Sequence, residues 1–199
     1  MADAEIPVQI GLGFEPEHRE AAANLYWNAF GLKLEHALRP RERGIGLIEQ
    51  GLDSARAITA FAGEELVGLA GFNLDGRALV ELRGSEIIKE FGLWQGIRRT
   101  AWASLLHRRP ASGVLMMDGI VVRPDWRGHG IGTKLLERLF EVASEHDKPV
   151  VRLDVVDTNP AAHRLYERMG FVQLENQKVP LMRRVMGFPA AKTMERKGK

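Results

Sequence analysis

Apolar residues recur along this chain at two spacings, and the switches between them mark out its elements. Ile6 to Ile10 alternates weakly and predicts a first strand, closed by Gly11 and Gly13. Pro16 and Glu17 then open a helix with Ala22, Leu25, Tyr26, Ala29 and Phe30 on its apolar side, expected to end near Gly31. From Leu32 to Leu52 the pattern is mixed. Leu34, Ala37 and Leu38 can extend a helix, Pro40 interrupts it, and Ile45, Leu47, Ile48 and Leu52 suggest another. Ala57 to Phe61 and Leu66 to Phe72 predict two short strands around Gly63-Glu64-Glu65, a hairpin signal. Next, Ile87, Ile88, Phe91, Trp94, Ile97, Ala101, Trp102 and Leu105 keep helical spacing, with Ser85 as an N-cap, and predict a helical insert at about 84–107. Gly92 and Gly96 each weaken that helix by ~1 kcal/mol relative to alanine and mark a place for a kink. The insert reads either as a helix packed on the sheet, burying two tryptophans, or as a wall or dimer contact.

The stretch from Val114 to Phe171 has the strongest pattern. Val114, Leu115, Met116, Met117, Ile120, Val121 and Val122 predict a buried strand, which Arg123-Pro124-Asp125-Trp126 breaks because Pro124 has no backbone donor. Asp118-Gly119 inside the run is either a hairpin turn or, preferred here, a bulge centred on Gly119. Behind the loop Arg127-Gly128-His129-Gly130-Ile131-Gly132-Thr133 comes a helix, with Ile131, Leu135, Leu136, Leu139, Phe140 and Ala143 on its apolar face. A strand at Val150 to Val156 follows. Asn159 and Pro160 are a good cap and first residue for the next helix, which Gly170 ends. Val172 to Glu175 reads as a strand, while Leu181, Met182, Val185 and Met186 have helical spacing. Ala190 to Glu195 is favoured as the closing strand over Val179 to Val185.

Composition narrows the class. The chain has 199 residues, 45% of them hydrophobic, enough for one well-packed domain and short for two. No cysteine is present, which removes a disulfide, a thiolate nucleophile and a cysteine-based metal site. The first residues carry no basic and apolar leader, and no apolar run approaches a membrane span; both fit a cytoplasmic protein with no membrane partner. A net charge of +2 is too slight for the footprint of a nucleic-acid binder.

A strand that delivers three glycines onto a helix N-terminus has a use beyond turning the chain. The first helical turn has unpaired N–H groups and the positive end of the dipole, and glycines leave no Cβ between that backbone and an anion. The glycines alone leave a phosphate site and a tight turn equally open. A Walker loop fails, because Thr133 stands between Gly132 and Lys134. A dinucleotide fingerprint lacks its third glycine at Thr133, although Asp154 stands at a tolerable distance for its ribose acid.

The loop has the form Arg-x-x-Gly-x-Gly at Arg127, Gly130 and Gly132, preceded by Val122-Arg123-Pro124. After the second strand comes Asn159-Pro160-Ala161-Ala162-His163-Arg164-Leu165-Tyr166-Glu167-Arg168-Met169-Gly170-Phe171. Across Val114 to Phe171 the chain resembles the acetyl-CoA-binding core of the GNAT superfamily of N-acetyltransferases. The resemblance implies one α/β domain over 1–199, a mixed, twisted sheet flanked by helices and splayed between its fourth and fifth strands. It implies acetyl-CoA as donor and coenzyme A as product, with a small-molecule or peptide amine as acceptor. Arg127, Gly128, His129, Gly130, Ile131, Gly132 and Thr133 would take the diphosphate. Backbone groups of Ile120, Val121 and Val122 would hold the pantetheine like an added strand, and Asn159 and Ala162 would border the cofactor. Tyr166 would protonate the departing thiolate. A non-catalytic acyl-CoA-binding module of the same fold is the alternative.

The family has no single fixed base. Asp118, the only charge in its apolar run, is the candidate for base or amine anchor. It could equally cap a loop or pair with Arg83 or Arg152, and Glu81, Glu35 and a water relay are rivals. The demand on a base is real: a lysine-like amine has a pKa of about 10.4, so deprotonating it at pH 7 costs about 4–5 kcal/mol. Trp94 and Trp102 on one helix would suit a homodimer interface. No residue cluster suggests a metal.

Overall fold

The computed structural model describes residues 7–104, 110–174 and 191–198, apart from the side chains at 32, 33, 36 and 191. Strand β1 (Val8–Leu12) leads to α1 (Arg19–Leu38) and α2 (Arg41–Gly51), then to the hairpin β2 (Ala57–Ala62) and β3 (Glu65–Asn73). Helices α3 (Gly84–Phe91) and α4 (Leu93–Ser104) precede β4 (Val114–Val122), α5 (Ile131–Glu145), β5 (Val150–Val156), α6 (Pro160–Arg168), β6 (Val172–Gln173) and β7 (Ala191–Lys197). The sheet runs β1-β2-β3-β4-β5-β7-β6. All neighbours are antiparallel except β4 and β5.

Each face of the sheet has its own core. On one, Ile131, Leu135, Leu136, Leu139, Val142 and Ala143 of α5 pack on Ile58, Ala70, Phe72, Leu115 and Met117, and α6 adds Tyr166. The helix lies close to β3 because Gly68 has no Cβ; one there would stand 3.1 Å from Ile131 and 3.2 Å from Leu135. On the other face α1 and α2 cover Ala57, Leu66 and Leu69 with Trp27, Leu38, Leu47 and Ile48. Among the described residues no helix is long and apolar enough to cross a membrane.

Several boundaries differ from the sequence pattern. Strand β1 runs through Gly11 to Leu12, because Gly11 and Leu12 pair with Thr59 and Ile58 of β2. Helix α1 runs through Gly31 to Leu38, because Leu34, Ala37 and Leu38 are buried and tertiary packing outweighs the local cost of glycine. The insert is two helices rather than one. Gly92 has φ +79°, a left-handed conformation that ends α3, and Gly96 of α4 lets that helix press against Ile88. Arg83, not Ser85, is the N-cap, and Leu105 lies outside the described residues. Nor are both tryptophans buried: Trp94 is 85% exposed, whereas Trp102 is partly covered. At the far end, β7 forms the closing strand over Ala191–Lys197. The alternative at Val179 to Val185, with Leu181, Met182, Val185 and Met186, lies outside the described residues.

Candidate active site

Strands β4 and β5 are paired only from Val114↔Val150 to Met117↔Leu153. Beyond that point β4 stays with β3 out to Val122, while β5 stays with β7 out to Val156, so a cleft opens between them. The separation begins at a bulge. Gly71 faces Gly119 and Phe72 faces Met117, which leaves Asp118 as the extra residue. The bulge is therefore centred on Asp118 rather than Gly119, and the strand is continuous, with no hairpin turn. Gly119 is required for another reason: a Cβ there would collide with the ring of Phe30 from α1. Asp118 and Gly119 thus present themselves in succession to the α1 face.

Past the bulge, Arg123 N–H donates to the Val67 carbonyl at 2.9 Å. Backbone groups alternate sides along a strand, so Val121 also points its N–H and C=O at β3, while those of Ile120 and Val122 face the cleft. Arg127 Nε donates to the Val122 carbonyl at 3.2 Å and folds the start of the glycine loop against the strand end.

At the mouth of the cleft, Gly128 and Gly130 have φ of +87° and +73°, and a Cβ on either would meet nothing within 4 Å. Their glycine identity is a matter of dihedral, and the space in front of them is open. Gly130 caps α5 with no side chain bonded to the first-turn N–H groups of Ile131, Gly132 and Thr133. His129 is exposed and stands 6.2 Å from the Trp126 ring. Leu165 of α6 seats against Gly132, 3.2 Å from where a Cβ would be, which ties α6 to this first turn.

In α6, Asn159 Oδ1 accepts the Ala162 N–H at 3.1 Å, so its side chain serves as a cap. Tyr166, two turns into the helix, is 4% exposed and meets Phe171 edge-on at 5.8 Å between centroids. Burial pushes its phenol well above the ordinary tyrosine value, so it holds its proton at neutral pH.

Asp118 lies on the opposite side of the sheet from Tyr166's core. It is half-buried, and Oδ2 accepts the Leu79 N–H at 3.2 Å. Burial raises its pKa to about 6, and the Leu79 hydrogen bond draws it partly back. It pairs with neither suggested arginine: Arg152 bonds Glu195 at 2.7 Å, and Arg83 lies 4.0 Å from Glu86. Two aromatic residues of α1 complete its surroundings. Tyr26 and Phe30 pack with their rings tilted by 52° and centroids 4.7 Å apart, and burial together with the negative charge of Asp118 raises the Tyr26 phenol. In the sequence these two are ordinary apolar positions of a helix, and only the register of α1 on β4 brings them to the bulge. Glu35 falls about 180° around α1 from Tyr26 at 3.6 residues per turn, on the side away from β4. Glu81 is exposed. No group of three or more metal-ligating side chains occurs among the described residues.

The Acetyltransferase (GNAT) family model matches residues 19–171. This chain belongs to that family. Thialysine N-epsilon-acetyltransferase of Bos taurus is 38% identical to this GNAT chain over 56 residues, which are 28% of this chain and 33% of that protein. The matches to curated relatives span about a third of those proteins' length. Solved GNAT-like structures share the fold over nearly the whole chain. An N-acetyltransferase from Staphylococcus aureus Mu50 has a TM-score of 0.65 at 18% identity, covering 94% of this chain and 100% of that one. A putative acetyltransferase from Salmonella typhimurium, solved with its cofactor acetyl-CoA, has a TM-score of 0.55 at 19% identity, covering 96% and 94%.

Proposed function

We propose that this chain is an acetyl-CoA-dependent N-acetyltransferase that moves an acetyl group to a primary amine by direct transfer in a ternary complex. The observation that carries the reading is the cleft that opens at Asp118 between two otherwise well-paired strands. Its backbone groups from Ile120 and Val122 lack a strand partner on that side. The donor fits the residues present. A pantetheine arm has amides that match the cleft-facing groups of Ile120 and the Val122 N–H, the Val122 carbonyl being taken by Arg127, and a diphosphate suits the uncapped first turn of α5 with open space before Gly128 and Gly130. Arg127 and His129 add cationic and polar groups at the rim, and Asn159 and Ala162 close the α6 side. The Salmonella typhimurium structure with acetyl-CoA supports the same assignment by fold.

Bound acetyl-CoA supplies the acetyl thioester. The chain's own work is to position the amine, remove its proton and return a proton to the leaving sulfur. Asp118 is ionised at pH 7 yet basic enough to accept a proton, and the aromatic rings of Tyr26 and Phe30 line its α1 side. Tyr166, held protonated by burial, is the acid for the thiolate. The acceptor is a small-molecule or peptide amine, and a cytoplasmic setting with no nucleic-acid or membrane partner goes with this reading. A homodimer through Trp94 remains part of the proposal.

The first test is a melting temperature with acetyl-CoA, against ATP and NAD. A ligand at a hundred times its Kd adds ~2.7 kcal/mol of stability. A shift with acetyl-CoA alone supports the donor, while a shift with NAD instead overturns it. Thiol release with a panel of amines then follows, free of background from protein cysteine. Tyr166→Phe is expected to lower kcat by ~10²-fold or more with acetyl-CoA affinity retained. Unchanged turnover in that variant would remove Tyr166 as the acid, and no turnover in the parent with any amine would favour the non-catalytic module.

A further inference from the structure

Four residues that meet on the α1 side of the bulge are only half-buried: Tyr26 and Phe30 of α1, Asp118 and Gly119 of β4. Leu25, Trp27 and Leu34 of the same helix are core. Half-buried residues that converge from two elements border an opening. This one adjoins the cleft between β4 and β5, because both begin where Asp118 leaves the β3 register.

Its walls are apolar. Phe30 lies against the bare backbone of Gly119, where a Cβ would collide with its ring, and Tyr26 packs beside it. Val121, the next residue of β4 on this side, packs with the same α1-face core. Asp118 alone brings charge. The Leu79 N–H engages its Oδ2 at 3.2 Å, and no cation among the described residues pairs with it. Arg152 is held by Glu195, and Arg83 lies beside Glu86. Arg41 donates to Asn24 and Asn28, which fall about 160° around α1 from Tyr26 at 3.6 residues per turn, so it stands on the far side of the helix.

An ammonium complements such an acid. A carboxylate beside that ammonium does not, since it would enter an apolar space that offers it a like charge and no cation. The rings and Val121 instead reward a hydrocarbon body behind the amine.

We propose that the acceptor is a primary amine on an apolar, arylalkyl body with no carboxylate on the amine-bearing carbon, and that Tyr26 and Phe30 select it. The amine meets the Asp118 carboxylate, and the hydrocarbon lies along Tyr26, Phe30 and Val121. The chemistry rests on the acetyl-transfer reading. The nitrogen–carbonyl bond forms as the carbon–sulfur bond breaks. Of the two protons the ammonium loses, one leaves through Asp118 to solvent, and the other balances the proton that Tyr166 gives to sulfur.

The test compares phenethylamine with phenylalanine, which adds only a carboxylate, and with ethylamine, which lacks only the ring. In calorimetry on the full chain with coenzyme A present, phenethylamine is expected to bind ~10-fold or more tightly than either. Thiol release from acetyl-CoA is expected to follow the same order, with kcat/KM ~10²-fold higher. In Phe30→Ala the advantage over ethylamine is expected to shrink ~10-fold, and the comparison in the parent stands whether or not that variant folds. Equal binding or turnover of phenylalanine or ethylamine overturns the acceptor class and leaves acetyl transfer in place, as does an unchanged advantage in Phe30→Ala. The expected binding order without thiol release from any amine overturns the transfer reading and keeps the amine site. No binding of phenethylamine overturns the amine site itself.

Discussion

The two faces of the sheet solve different problems. On the α5 face the chain meets the cleft with backbone: left-handed glycines, an uncapped helix start and strand groups released at the bulge. On the α1 face it meets the same cleft with side chains. Phe30 fills the space that Gly119 leaves, Tyr26 shields Asp118, and Leu79 reaches across 39 residues to bond it. A backbone device can hold a constant group such as a diphosphate without regard to neighbouring side chains. A side-chain device can be altered one residue at a time, which suits the choice of an acceptor.

Asp118→Asn separates the two faces most sharply. If Asp118 is the base, kcat falls by ~10²–10⁴ and acetyl-CoA binding is unaffected. The parent kcat/KM is expected to rise with pH through about 6 and then level, and that limb should vanish in the variant. Stability moves the other way. The folded pKa, about 6, lies above that of an ordinary aspartate, so the native state binds more protons between pH ~4 and 6 and loses stability as pH rises through that window. Asparagine avoids the buried charge and can still accept the Leu79 N–H. The variant should therefore be more stable at pH 7, by up to about 3 kcal/mol, and the difference should shrink towards pH 4. A variant both less stable and fully active would sink the assignment of Asp118.

The same contrast explains what could be read in the sequence. The α5 side was legible because its determinants are local. Glycine spacing, a proline after a strand and an Asn-Pro helix start are each decided within a few residues, and Val114–Val122 and Val150–Val156 fall where the apolar runs put them. The α1 side was not. Its helix passes through Gly31 because distant residues bury Leu34 and Leu38, and the bulge sits on Asp118 rather than Gly119 because β3 fixes the register. Tyr26 and Phe30 reach the site through that register alone. Helical spacing over 84–104 likewise could not tell one helix from two, since the decision rests on Gly92 turning left-handed and Gly96 docking on Ile88.

Gly119→Ala sharpens the acceptor side. The added methyl must displace the Phe30 ring, an overpacking that costs about 1–3 kcal/mol in thermal or urea unfolding. The acceptor KM is expected to rise while the Kd for acetyl-CoA holds. Equal losses for both ligands would mean that the bulge serves the cleft as a whole.

The smallest effect gives the cleanest comparison, because one substitution is made twice in open space. A Cβ at Gly46, inside α2, meets nothing within 4 Å, and no left-handed φ stands in its way. Alanine there should stabilise the chain by up to ~1 kcal/mol through helix propensity. A Cβ at Gly130 also meets nothing, but the residue has φ +73° and ψ +3° as the cap of α5. Alanine in that conformation costs roughly 1–2 kcal/mol. Melting temperatures of the two variants should thus move in opposite directions, and Gly130→Ala alone should weaken acetyl-CoA, since relieving its strain tilts the first-turn N–H groups away from the loop. If both variants melt alike and bind acetyl-CoA like the parent, the loop is an ordinary turn and the anion site must be sought elsewhere along the cleft.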